Sequence, residues 1–221
     1  MIHTPFKEAT KGMTFREKLD HFWTYYKLAL GVAAGLIMIL CMIITGIVNS
    51  LTKVVYSGIA INTFMTEEGI AYLSEDLAVY LDATGKREEV ILDENYLQNM
   101  ASSSNVEDKY ISAMQVTVRV AAREFDYLMM NETAYNYFQN ETVFPSMYET
   151  LSAELIEQLG DHVTYYTDPD GQTYPMAIDI TEWAFTKDCV QGNGKIYLAF
   201  CGNTGRTATN DVFVEYLRNW N

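Results

Sequence analysis

The chain has 221 residues, with fifteen Lys and Arg against twenty-nine Asp and Glu, a formal charge of −14. That balance excludes nucleic acid as a partner, because its binding relies on basic side chains neutralising phosphates.

Residues 1–27 carry five basic side chains (Lys7, Lys11, Arg16, Lys18, Lys27) and three acidic ones (Glu8, Glu17, Asp20). Phe15, Leu19, Phe22 and Trp23 recur at helical spacing, the pattern of an amphipathic segment lying along the inner membrane surface before the chain turns in. Leu28 to Val48 then supplies 21 uncharged, mostly apolar residues. At ~1.5 Å per residue they reach roughly 30 Å, the thickness of a hydrocarbon core. The stretch predicts a transmembrane helix, and the bilayer is its partner. Phe22, Trp23, Tyr25 and Tyr26 would form the inner aromatic belt, and Gly31 and Gly35 are a small-xxx-small pair. A cleaved signal peptide has a shorter apolar region and a small-x-small site, which Thr45 to Ser50 does not offer, so an uncleaved signal anchor is expected. Basic residues before a first span stay in the cytoplasm. The chain beyond the span holds ten of the fifteen basic and twenty-six of the twenty-nine acidic side chains, and residues 49–221 are expected outside.

Beyond residue 53 there is enough chain for one domain with its own core. Val54 to Asn62 reads as a buried strand. Thr66-Glu67-Glu68 opens a helix with Ile70, Leu73, Leu77, Tyr80 and Leu81 on one side, stopped by Gly85. Glu88 to Leu92 is a second strand. Ser104 and Glu107 form a capping box before a helix with Ile111, Met114, Val118, Ala121 and Phe125 along one side, and Asp126 to Met130 is the third strand. This β-α-β-α-β order is the rhythm of parallel strands joined by crossovers. A short helix from Glu132 to Phe138 follows, and a second capping box at Ser146 and Glu149 begins a helix ended by Gly160. Val163 to Thr167 and Thr173 to Ile180 flank Asp168-Pro169-Asp170-Gly171, a strong turn sequence, and read as a β-hairpin. A helical segment near Trp183, a turn at Gly192-Asn193-Gly194, a strand from Lys195 to Cys201 and an amphipathic helix from Asn210 to Trp220 complete the chain.

Few residues carry chemistry. His162 is the one histidine after the span, and its place beyond a helix end suits a loop residue better than a catalytic one, so no catalytic residue is assigned. Asp168-x-Asp170-Gly171 lacks the further acids of an EF-hand loop, so no metal site is assigned, and no cofactor is implied. Gly202-Asn203-Thr204-Gly205-Arg206 lies between a strand and a helix, where backbone N–H groups can hold an anion, yet it lacks the Lys-Ser/Thr of a P-loop and reads first as a plain turn. Asn131-Glu132-Thr133 and Asn140-Glu141-Thr142 match glycosylation acceptors. Cys189 and Cys201 are far enough apart to pair, closing a loop worth ~3 kcal/mol in the chain-entropy model, or to be buried separately; both readings stay open. In an open parallel sheet, ligands bind beyond the carboxyl ends of strands where crossovers diverge. With strand order 2-1-3, Asn62, Thr63, Asn131 and Glu132 would line that crevice, with Asn203 and Thr204 beside them.

The stretch from Ile111 to Leu159 resembles type II periplasmic solute-binding proteins, in which a helix leads into a strand of this kind. Asp170 to Pro175 is similar to that family's run entering its hinge strands, and Lys195 to Leu217 to its late strand and helix. The resemblance implies one lobe, with a hairpin where the second lobe would be inserted. It is closer still to single-span extracytoplasmic proteins of Gram-positive bacteria. The expected architecture is thus one membrane helix and one three-layer α/β domain with a mostly parallel sheet. The expected function is a non-enzymatic binding or scaffolding component of a cell-envelope complex, with a membrane-protein partner. The alternative is a small-solute receptor related to transporter binding proteins.

Overall fold

A computed structural model describes residues 12, 14–50, 52–85, 87–93, 106–139, 144–191 and 194–220. It divides into two units, Met1–Thr52 and Lys53–Asn221. The first is built on one helix, α1 (Phe15–Ser50). Thr14 opens it, its backbone N–H and hydroxyl both donating to the Glu17 carboxylate at 2.8 and 2.9 Å. Its Lys27–Val48 portion is long and apolar enough to cross a membrane. The helix runs unbroken past Lys27, so the expected turn between a surface-lying segment and a span is absent: no Pro or Gly interrupts residues 15–30, and helical propensity carries through.

The second unit is a mixed α/β domain. Its elements are β1 (Lys53–Ile61), β2 (Phe64–Met65), α2 (Glu67–Ala71), a π-helical turn (Tyr72–Asp76), α3 (Leu77–Tyr80), β3 (Glu88–Asp93), α4 (Val106–Ala121), β4 (Tyr127–Asn131) and α5 (Glu132–Phe138). After these come α6 (Ala153–Leu159), β5 (Val163–Thr167), β6 (Thr173–Asp179), α7 (Ala184–Cys189), β7 (Val190–Gln191), β8 (Ile196–Phe200) and α8 (Ala208–Arg218). Six strands form one sheet in the order β3-β1-β4-β8-β6-β5, and β2 pairs with β7 apart from it. Parallel pairing is confined to β3-β1-β4, while β4-β8, β8-β6 and β6-β5 are antiparallel.

Side chains alternate between the faces of this sheet, as a pleated strand requires. Tyr127, Met129, Leu198 and Phe200 point into a core shared with Leu73, Leu77, Leu155, Phe185 and Phe213. Ile59, Ile61, Leu128, Met130 and Ala199 point into the other, shared with α4 and α5. Cys189 belongs to the first core and Cys201 to the second, and both are free thiols. The sheet therefore separates them, and of the two readings the sequence left open the disulfide fails.

Local chemistry sets the element ends. The Thr66 hydroxyl accepts from the Gly69 N–H, the expected N-cap. The helix that it opens stops at Asp82 rather than Gly85. Asp82 takes φ 54°, and Ala83 N–H donates back to Ala78 O at 2.8 Å, a Schellman closure with an aspartate in the left-handed position. Arg123, at φ 64°, ends α4 similarly. Ser146 caps only a single 3-10 turn, Met147–Glu149, and α6 takes its own cap, the Ser152 hydroxyl accepting from Leu155 N–H. One expected helix is thus two segments, because each serine offers the backbone a separate start. Gly160, at φ 52°, ends α6 as expected. Ser104 of the first expected capping box, Asn140 and the Gly192-Asn193 turn lie outside the described residues.

Burial raises the pKa of the Tyr56 and Tyr127 phenols well above the usual tyrosine range and pushes Tyr197 up to about 12. In the unfolded chain these groups ionise near pH 10. With the folded values raised, their contribution to stability is full below about pH 10 and is lost as pH climbs toward the folded values. Tyrosinate absorbance at 295 nm should therefore rise in two stages, exposed phenols titrating reversibly near pH 10 and the buried ones appearing only with unfolding at higher pH.

Candidate functional site

Three strand ends meet at one edge of the sheet: the carboxyl ends of β1 and β4, and the start of β8, where Asn131 pairs with Ile196. Asn62, Thr63, Asn131 and Glu132 all lie along this edge. Asn131 is engaged, since its side-chain oxygen caps α5 by accepting from Ala134 N–H at 3.0 Å. The Thr63 hydroxyl donates to Ile61 O, and Glu132 is exposed. Asn62 differs: it holds φ 50°, and both polar atoms of its amide are buried without a hydrogen-bond partner. Ile196, the register partner of Asn131, lines with Thr181, Thr186 and Val190 a groove of about 320 Å³ to which Asn62 does not contribute, and the Thr186 hydroxyl there is also buried and unpartnered. An unsatisfied buried amide costs about 1–3 kcal/mol, and left-handed backbone costs a non-glycine residue about 1–2 kcal/mol. Asn62→Gly should remove both costs and raise stability by about 1 kcal/mol in denaturant unfolding, unless the amide serves a ligand.

Asn203 and Thr204 are not beside these residues. β8 runs antiparallel to β4, so its far end returns to the start of the parallel strands, and the loop after it sits at the opposite edge. There the chain supplies the loop with an anion of its own. Asp126, 1% exposed, accepts from Arg206 Nε at 2.9 Å through both carboxylate oxygens, from the Thr204 hydroxyl, and from Ser57 N–H at 2.8 Å. Asn203 donates to Val120 O at 2.7 Å. These side chains tie loop, sheet and α4 together, and the turn holds an internal carboxylate where a phosphate would have sat. Reading Asp126 as the mere start of a strand missed this pair. The signal was an aspartate heading an otherwise apolar run.

His162 packs against Trp183, its ring Nδ1 3.1 Å from Asp179 O. The turn at Asp168-Gly171 closes on itself, the Asp168 carboxylate accepting from Gln172 N–H at 2.8 Å. Among the described residues no group of three His, Cys, Asp or Glu is placed to hold a metal ion.

The other departure from sequence expectation is on α4. Ala113, Val116 and Val120 form its inward face. Ile111, Met114 and Val118, expected to share one side of the helix with the buried Phe125, point outward at 48, 48 and 60% exposure, and Ala121 is exposed with them. The helix carries two apolar stripes, and the sequence alone does not say which one meets the sheet. No protein-family model, curated protein or solved structure matches this chain.

Proposed function

We propose that this protein is a membrane-anchored extracytoplasmic α/β domain that works without catalysis, as a binding or scaffolding component of a cell-envelope complex. The outward stripe of α4 carries the reading, because it is an apolar helix face left open on a strongly acidic chain. Gln115, Thr117 and Ala122 are exposed beside it and uncharged, and the charged Arg123 and Glu124 lie at its end. Anchoring through Leu28 to Val48, with the N terminus inside, is supported by the apolar length of α1 and by the basic residues before it. A structural role for the polar groups is supported by the internal bonds of Asn131, Asn203, Thr204 and Asp126. Within this reading the domain is a reduced lobe with a 2-1-3 parallel core and a hairpin, an arrangement supported by the registers Ser57-Ile91, Gly58-Tyr127 and Thr164-Ala177. The test is Val118→Asp in the full-length chain extracted in mild detergent. The variant should keep its melting temperature and lose a larger assembly on native electrophoresis; unchanged migration would contradict the reading.

A second reading, a small-solute receptor akin to one lobe of a solute-binding protein, is favoured by the unpartnered Asn62 amide and the groove beside Thr186. A solute at a hundred times its Kd adds ~2.7 kcal/mol to stability. A thermal-shift screen of amino acids and sugars would show that as a clear rise in melting temperature, abolished by Asn62→Gly.

A further inference from the structure

We draw no further inference here: the strongest candidate, the outward apolar face of α4 along Ile111, Met114 and Val118, carries nothing beyond the docking role proposed above, because nothing in the structure shows what covers it.

Discussion

Gly58→Ala should cost this domain about 3 kcal/mol or more, a large part of the ~5–15 kcal/mol that holds a typical domain together. Gly58 and Tyr127 are register partners on β1 and β4. A Cβ at position 58 would lie 2.0 Å from Tyr127 Cζ and 2.3 Å from Cε1, well inside contact distance. The ring has nowhere to go, being stacked on Tyr56 at 5.4 Å and pressed by Phe213 at 4.3 Å. Phe213 belongs to α8, so moving the ring moves the helix. The substitution should lower the urea midpoint with little change in slope. Combined with Tyr127→Ala, it should cost less than the two changes summed, since the alanine at 127 removes what the new methyl strikes. A midpoint within 0.5 M of the native chain would mean that the ring does not lie over Gly58.

Asp126→Ala should cost about 3 kcal/mol. The carboxylate is 1% exposed and satisfies an arginine, a hydroxyl and a backbone N–H at once. Removing one partner of a buried ion pair typically costs 3–5 kcal/mol, because the other charge is left without compensation. The Arg206 side chain is 26% exposed, which gives it some water to fall back on and places the expectation at the lower end. Arg206 Nη2 already lacks a partner, and its tie to Val54 O, at 3.4 Å, is long. Asp126 therefore carries most of the compensation. Asp126→Ala with Arg206→Ala should be milder than the sum of the two, and the coupling should change little with salt, since a buried pair is poorly screened. Additive costs would show that the pair is not the latch joining the loop after β8 to the sheet.

How much of this was legible in the chain depended on whether the information was local. A cap is local: Thr66 followed by two glutamates announced a helix start, and its hydroxyl accepts the Gly69 N–H. The apolar runs of β1, β4 and β8 were equally plain, because burial on both faces of a sheet demands them. Helix ends were less so. Asp82 takes the left-handed position three residues before the glycine that seemed made for it, since aspartate tolerates that conformation and the apolar stripe had already run out. Direction was not legible at all. The side-chain alternation of β8 reads the same from either end, so nothing in Ile196 to Phe200 revealed that it runs against β4, and the crevice residues were divided between two edges as a result. α4 shows the same limit for helices. Both of its stripes are apolar enough to be buried, and only the packed structure says that Val116 is inside and Val118 outside.

Labelling of intact cells with a membrane-impermeant maleimide shows directly whether the α4 stripe is covered on the outer side of a membrane. Val79→Cys, 67% exposed on α3, should react at once, whereas Val118→Cys, 60% exposed in the isolated chain, should react at least tenfold more slowly. Equal rates at the two positions would contradict docking through α4, and protection of both in intact but not in lysed cells would contradict the outward placement of the domain.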